Sequence, residues 1–188
     1  FISVLNSILI GYALYMDDVI NTIIFIGYLG PYLLASSTIF FMRNKHVYLC
    51  TYIVGIILNS ILNYILKCII QDPRPNEDKR LVKLDSLHGD KTHSDMFDKF
   101  GMPSGQSQAE LMSTTFTFLV TQNNHLLFLY LGISLINGIQ RIYSKNNTYQ
   151  QIIVGGLTGI GVGYIAYLYG FEKAKGKLRE KADDDAPI

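Results

Sequence analysis

Long runs of hydrophobic residues, separated by short polar breaks, dominate the pattern of this chain. The runs cover residues 2–16, 20–41, 47–70, 107–121, 125–143 and 150–170. An α-helix needs about 20 apolar residues to cross the hydrocarbon core of a bilayer, and most of these runs approach that length. We therefore predict an all-α, multi-pass membrane helix bundle with five or six transmembrane helices. The sixth helix depends on whether 2–16 is a truncated span or the remains of a targeting segment.

The polar stretches divide the chain into one membrane domain and one tail. Residues 71–102 are polar without periodicity, which predicts a loop within the domain. Residues 171–188 carry a basic run followed by three aspartates, which predicts a charged, exposed and partly disordered tail. We expect residues 1–170 to form a single membrane-embedded helical domain.

Three glycines in the last apolar run recur at four-residue spacing: Gly155, Gly159 and Gly163. Small residues at this spacing let the backbones of membrane helices approach each other closely. A nucleotide-binding loop is disfavoured, because no strand precedes these glycines. We therefore predict a helix-packing face.

Composition supports the membrane prediction and limits the possible partners. Of the 188 residues 49% are hydrophobic, which is too apolar for a typical soluble domain. The net charge of +1, without a basic stripe, argues against nucleic acid as a partner. Cys50 and Cys68 lie about 27 Å apart along one predicted helix, so they cannot form a disulfide with each other. We predict no cofactor.

Three polar motifs occur where an apolar run meets a loop. They are 67–75 (KCIIQDPRP), 101–108 (GMPSGQSQ) and 141–148 (RIYSKNNT). Because successive spans cross the membrane in opposite directions, all three motifs are predicted to converge on one face. The turn at 42–46 and the loop at 122–124 then lie on the opposite face, together with the tail.

Two of these motifs contain basic side chains that could bind an anion. Lys67 shares one helix face with Asn59 and Asn63, Arg74 opens the polar loop, and Arg141 ends an apolar run. Considered separately, Lys67 and Arg141 could each be explained as a basic side chain that extends to the membrane surface and has no binding role. Together with Arg74 they would repel one another unless an anion is normally present. We therefore predict an anion site.

The motifs resemble the signature of the type 2 phosphatidate phosphatase superfamily, the lipid phosphate phosphatases. That signature reads K-x6-R-P, P-S-G-H and S-R-x5-H-x3-D. This chain has Lys67-x6-Arg74-Pro75, then Pro103-Ser104-Gly105, then Arg141. Within the superfamily, the runs QDPRP, GMPS and SQ most resemble those of the dolichyl-diphosphatases. The resemblance extends over about residues 24–167, most of the chain.

The resemblance implies the helical fold of these phosphatases and a role for each matching residue. Lys67, Arg74 and Arg141 would hold phosphate oxygens, the arginines bidentately. Ser104 and the amides around Gly105 would stand at a helix start, where N–H groups and the helix dipole favour an anion.

Both catalytic histidines of the family are replaced in this chain. Gln106 stands where a histidine protonates the leaving group, and Asn147 stands where a histidine attacks phosphorus. An amide cannot attack phosphorus or transfer a proton near neutral pH. Losing such a nucleophile costs roughly 10⁴- to 10⁶-fold in rate. Gln151 replaces the third-motif aspartate, but dolichyl-diphosphatases resemble this chain at that position.

None of the four histidines of this chain matches a family position. His46 and His125 are predicted on the opposite face. The other two lie in the polar loop near two aspartates: His88, His93, Asp90 and Asp95. These residues raise metal binding as an alternative, but loose His/Asp spacing is a weak motif. We favour a solvated loop and predict no metal site.

The replaced histidines favour a catalytically inactive family member over an active one. We expect it to bind membrane lipids with a phosphorylated headgroup, or to act as a structural part of a larger membrane assembly. The alternative is an active lipid phosphate or polyprenyl diphosphate phosphatase that uses altered catalytic residues. A transporter or channel is disfavoured, because the polar groups gather at one face and no span is charged midway.

Positive charge predicts the orientation of this integral membrane protein. The turn at 42–46 contains Arg43 and Lys45. The tail adds five basic residues at the same face: Lys173, Lys175, Lys177, Arg179 and Lys181. Basic residues near membrane spans favour the cytosolic side. We therefore expect a cytosolic tail and a lumenal or exoplasmic anion site, in the endoplasmic reticulum or another internal membrane.

Overall fold

A computed structural model describes residues 22, 25, 27–75 and 99–184, with side chains through residue 176. The fold of these residues is all-α, as predicted. Their five helices are α1 (27–42), α2 (His46–Ile70), α3 (Gly105–Thr121), α4 (Asn124–Tyr143) and α5 (Tyr149–Asp184). The predictions for 2–16 and for His88, His93, Asp90 and Asp95 fall outside the described residues.

The bounds of α2 to α5 nearly coincide with the predicted apolar runs, except at the end of α5. That helix continues past residue 170 to Asp184, where a partly disordered tail was predicted. Ala, Lys, Glu, Arg and Leu dominate the segment, and all of them favour helix. The side chains of 171–176 are mostly exposed. The first part of the tail is therefore a helical extension of the last span.

Many of the buried side chains in the bundle are polar, and many of the exposed ones are apolar. α2 exposes Ile57 and Ile61 but buries Asn59, Asn63 and Lys67. The exposed isoleucines are apolar and can contact lipid directly. The buried polar groups instead need hydrogen-bond partners within the bundle. Among the described residues, three segments are long and apolar enough to cross a membrane: His46–Ile70, Asn124–Tyr143 and Tyr149–Gly176.

α3 lies inside the bundle and packs against α2, α4 and α5. Its hydroxyl groups bond to neighbouring helices. Thr117 Oγ1 lies 2.8 Å from Thr38 Oγ1 of α1, and Ser113 Oγ lies 2.6 Å from the Tyr52 hydroxyl of α2. Five buried hydrophobic residues of the bundle form one cluster: Met42, Tyr52, Met112, Phe116 and Ala166.

The α1–α2 turn and the end of α3 lie at the end of the bundle opposite the motifs. Lys45, between α1 and α2, donates through Nζ to the carbonyl of Val120 near the end of α3, at 3.3 Å. His46 begins α2, and His125 lies in the first turn of α4. Both histidines are therefore remote from the motifs, as predicted.

Three glycines of α5 lie directly against the backbone of α3. The facing pairs are Gly155 with Ser104, Gly159 with Gln108, and Gly163 with Met112. A Cβ atom at any of the three glycines would overlap backbone atoms of α3. The predicted packing face is confirmed. Because Ser104 directly precedes α3, this contact also sets where that helix starts relative to α5.

Gly159→Ala is expected to destabilise the bundle, whereas Gly161→Ala is not. Gly161 lies on the same helix but has open space around its Cβ position. Alanine at 161 should stabilise the helix by up to about 1 kcal/mol through its propensity. At 159 the methyl group would push α3 and α5 apart, which costs about 1–3 kcal/mol. Thermal unfolding midpoints of both variants in one detergent measure the difference, and equal midpoints would contradict the role of close packing.

Candidate functional site

Backbone and side-chain hydrogen bonds join the three motifs at one end of the bundle. The connecting bonds run from Arg74 Nη1 to the Asn146 carbonyl (3.3 Å), from Gly101 N–H to the Asp72 carbonyl (2.8 Å), and from Asn147 Nδ2 to the Gly101 carbonyl (2.9 Å). Each bond links a different pair of motif segments. The predicted convergence of the motifs is therefore confirmed.

The two motif arginines face the same small region. Arg141, in the last turn of α4, is only 4% exposed, and its Nε donates to Asn147 Oδ1 at 2.9 Å. Arg74 reaches the same loop from the other side, and the two guanidinium charges are close enough to repel one another. An anion between them would offset that repulsion.

Lys67 is buried on α2 at the same end of the bundle. The stripe that contains it binds the start of α3. Asn63 donates through Nδ2 to the Pro103 carbonyl at 3.2 Å and to Gln108 Oε1 at 2.7 Å. One turn earlier, Asn59 Oδ1 accepts from Gln108 Nε2 at 2.8 Å. The amides thus hold the two helices together, and Lys67, one turn after Asn63 on α2, begins the first motif.

The start of α3 presents N–H groups that suit an anion. Ser104 is the N-cap residue, and its side chain makes no capping bond within the described chain. Its Oγ instead lies 3.1 Å from Ser107 Oγ. The first N–H groups of a helix have no intrahelical acceptor and attract negative charge. Glycine at position 105 leaves room for the Asn63 side chain, because a Cβ atom there would lie 3.2 Å from Asn63 Oδ1, which is closer than an ordinary contact.

Asn147 uses its whole amide in hydrogen bonds to the protein. It is 2% exposed. Its Oδ1 accepts from Arg141 Nε at 2.9 Å. Its Nδ2 donates to the Gly101 carbonyl at 2.9 Å and to Gln151 Oε1 at 3.0 Å. The side chain therefore connects α4, the 99–104 segment and α5, and it orients Arg141.

Gln106 is also held by the bundle. Its Oε1 accepts from Asn137 Nδ2 of α4 at 3.0 Å. The same Nδ2 donates to the Gly27 carbonyl of α1 at 2.7 Å. Gln106 therefore faces α4 and α1, one turn before Glu110 on the same side of α3.

Gln151 connects Asn147 to a carboxylate. Its Nε2 donates to Asp72 Oδ2 at 2.8 Å and to the Pro73 carbonyl at 2.9 Å. Its Oε1 accepts from Asn147 Nδ2 and from the backbone N–H of Thr148. A glutamine both donates and accepts, so it fits between an amide and a carboxylate, where an aspartate would not.

Sequence reasoning missed two acidic residues near the site. Asp72 lies within a recognised motif, but its partner Gln151 is 79 positions away along the chain. Glu110 lies in the second turn of α3 and is only 1% exposed, so this helix carries an acidic side chain inside the bundle. A glutamate within the apolar run 107–121 was the available signal.

The described residues contain no group of three or more His, Cys, Asp or Glu side chains that could hold a metal ion. The hydrogen-bond donors at the site are guanidinium, ammonium, hydroxyl, amide and backbone N–H groups. Such donors suit the oxygens of a phosphate or sulfate.

Comparisons with known proteins indicate the family of this chain. The family model of the PAP2 superfamily matches residues 48–175. Human dolichyldiphosphatase 1 is 26% identical over 139 residues, covering 65% of this chain and 52% of its own length. The mouse protein of the same name is 27% identical over 139 residues. The chain thus spans about half the length of the curated relatives it matches.

A solved structure shares the fold. It is the crystal structure of the first transmembrane PAP2 type phosphatidylglycerolphosphate phosphatase from Bacillus subtilis. The TM-score is 0.56 at 20% sequence identity, and the match covers 85% of this chain and 78% of that chain. The family match contains all three motifs and covers well over half of the residues. This chain belongs to the PAP2 superfamily.

Proposed function

We propose that this protein is a catalytically inactive PAP2 homologue that binds a phosphorylated lipid headgroup at the motif end of its helix bundle. Lys67, Arg74 and Arg141 would supply positive charge. Ser104 and the N–H groups around Gly105 would supply directed hydrogen bonds. The site would face the lumenal or exoplasmic side of an internal membrane.

The bonding of Asn147 carries the proposal. This residue stands where the family resemblance implies a nucleophilic histidine. Its amide cannot attack phosphorus, and its polar atoms are already paired with Arg141, Gly101 and Gln151. At the implied acid position, Gln106 is bound to Asn137 and cannot supply a proton near neutral pH.

The retained cations favour binding over a purely structural role in a membrane assembly. Arg141 and Lys67 are buried, and taking a charge out of water is costly even where the charge has partners in the protein. A protein with only a packing role would gain from apolar residues at these positions, because buried charges are often replaced without loss of stability. Their presence in a phosphatase fold supports a bound anion.

Arg141→Ala is expected to weaken binding of a phosphorylated lipid by roughly 10- to 100-fold, because charge-assisted hydrogen bonds contribute about 1.5–3 kcal/mol. Arg141→Lys should recover only part of the affinity, since lysine lacks the bidentate fork. Titration of detergent-solubilised protein with a phosphorylated lipid and its neutral counterpart provides the measurement.

Arg43→Ala is the matched control for that titration. Arg43 is an exposed arginine at the opposite end of the bundle, with its guanidinium 4.5 Å from the centre of the Phe40 ring. Its loss should leave the lipid affinity unchanged. If the wild type does not distinguish phosphorylated from neutral lipid, the proposed binding site is wrong.

The wild type should hydrolyse lipid phosphates and diphosphates no faster than Arg141→Ala, because both family histidines are absent. The double change Gln106→His with Asn147→His is expected to be the smallest change that restores phosphatase activity. Each single change should do far less, because attack and leaving-group protonation act as a unit. Phosphate release from lipid phosphates and polyprenyl diphosphates in detergent micelles provides the readout.

Two comparisons make the repair experiment decisive. Adding Arg141→Ala to the double histidine variant should abolish any recovered activity, because that guanidinium would no longer hold the phosphoryl group. Clear wild-type turnover that Arg141→Ala removes would instead establish the alternative, an active phosphatase with altered catalytic residues.

The orientation proposal predicts a C-terminal tail that is accessible from the cytosol. Lys173 and Lys175 lie on exposed parts of the helical extension, at the same end as Arg43 and Lys45. In sealed microsomes with the cytosolic face outward, added protease should remove an epitope placed after residue 188. A protected epitope, degraded only after detergent is added, would mean that the orientation is reversed.

A further inference from the structure

A groove between α2 and α5 lies at the end of the bundle opposite the motifs, and we call it the α2/α5 groove. Its volume is about 380 Å³, within the range of about 300–1,000 Å³ that is usual for small-molecule sites. The first turns of α2 form one wall and the end of the span in α5 forms the other. The walls contain His46, Val47, Cys50 and Val54 of α2, and Tyr169 and Lys173 of α5.

Close packing of α2 and α5 forms the inner edge of the groove. A Cβ atom at Gly170 would lie 3.1 Å from the Tyr48 ring and 3.4 Å from Thr51 Oγ1, so the two helices nearly touch there. The rings of Tyr48 and Tyr167 stack beside this contact, with 6.4 Å between their centres. On the outer side, Val54 is 54% exposed. The groove is therefore closed toward the bundle and open toward the surrounding membrane.

The groove begins at the membrane boundary of both helices. His46 is the first residue of one candidate span, and Lys173 lies three residues before the end of another. Val54 follows His46 by eight residues, which corresponds to about 12 Å along the helix axis toward the bilayer interior. The basic residues thus lie at the outer end and the apolar wall extends inward. A phospholipid has the same arrangement, with its charged headgroup above its acyl chains.

The outer end of the groove suits a phosphate group. Lys173 Nζ lies 4.9 Å from the centre of the Tyr169 ring, and basic and aromatic residues are typical of this level of a membrane protein. The imidazole of His46 has an N–H group that can donate to a phosphate oxygen. Among the described side chains that line the groove, none is acidic.

The deeper part of the groove suits a hydrocarbon chain and not a polar ligand. Val47 and Val54 are apolar. Thr51 is polar, but its Oγ1 already donates to the Val47 carbonyl at 2.8 Å. A nucleotide or an inorganic anion would leave this wall unused, whereas an acyl chain would cover it.

The charge at this end of the bundle favours a lipid with a net negative headgroup over a zwitterionic one. Among the described side chains of the α1–α2 turn and of residues 171–176, four are basic and one, Glu172, is acidic. The basic residues are Arg43, Lys45, Lys173 and Lys175. Juxtamembrane basic residues attract anionic lipids. In the orientation proposed above, this end faces the cytosolic leaflet, where such lipids are concentrated.

We propose that the α2/α5 groove binds one anionic glycerophospholipid from the leaflet at this end of the bundle. Its phosphate contacts Lys173 and His46, and one acyl chain lies along Val47 and Val54. This second lipid site does not rest on the proposed function, because it lies at the opposite end of the bundle from Arg74 and Arg141.

The thiol of Cys50 provides a readout inside the groove, because this residue lines it and is exposed. In the full chain with Cys68→Ser, Cys50 is the one remaining cysteine. Its reaction rate with N-ethylmaleimide, a small uncharged reagent, is measured in an uncharged detergent. Phosphatidylglycerol or phosphatidylcholine with the same acyl chains is then added. Phosphatidylglycerol should protect Cys50 at about fivefold lower concentration, the contribution of one lysine near the surface to the binding of an anionic lipid.

Three exposed-lysine variants separate binding in the groove from general surface charge. Lys173→Ala should raise the protecting concentration of phosphatidylglycerol about fivefold, to that of phosphatidylcholine. Lys173→Arg should retain the difference between the lipids, because the charge is kept. Lys175→Ala is the matched control, since Lys175 is exposed on the same helical extension but lies outside the lining of the groove. It should leave the protection unchanged.

Three results would overturn the lipid site. The first is equal protection of wild-type Cys50 by the two lipids. The second is an equal effect of Lys173→Ala and Lys175→Ala, which would mean that only the surface charge matters. The third is a thiol that does not react even without lipid, which would mean that the protein itself covers the groove. Because Cys50 reports on the end opposite the motifs, each result leaves the proposed phosphate site to its own test.

Discussion

Glycine Cα atoms of α5 lie against the backbone of α3 at three successive turns, and the geometry of the site depends on this contact. The first of these turns faces Ser104, whose N–H also donates to the carbonyl of Gln151 on α5. The start of α3, the glutamine and the loop before α5 are therefore held as one unit. Side chains larger than glycine at Gly155 or Gly159 would move the first N–H groups of α3 away from the arginines.

Within this frame, amide groups hold the positions of the charged groups. Asn63 ties the start of α3 to α2, Asn147 holds Arg141, and Gln151 joins Asn147 to Asp72. Amides are well suited to a membrane interior, because each can both donate and accept without a net charge. At the two positions where the family resemblance implies histidines, Gln106 and Asn147 each hydrogen-bond to neighbouring residues.

Much of this architecture follows from the sequence because the bilayer fixes the length of each span. Span lengths predicted the bounds of α2, α3 and α4, and the alternation of direction predicted that Arg74, Ser104 and Arg141 would converge. Other features depend on contacts between distant residues. The bond between Asp72 and Gln151 has no local signal, because the partners are 79 positions apart. The helical extension to Asp184 was missed because charge was taken as a sign of disorder, although its residues favour helix.

The internal bonding of Asn147 also affects how a ligand would come and go. Folding already fixes Arg141 through Asn147, so little side-chain entropy remains to be lost when an anion arrives. In an enzyme, product formation would end each encounter. In a site without turnover, only dissociation ends it, and the residence time alone then determines how long each lipid is withheld from other proteins. Such a protein would act as a reservoir that changes the free concentration of its lipid in the membrane in proportion to its own abundance.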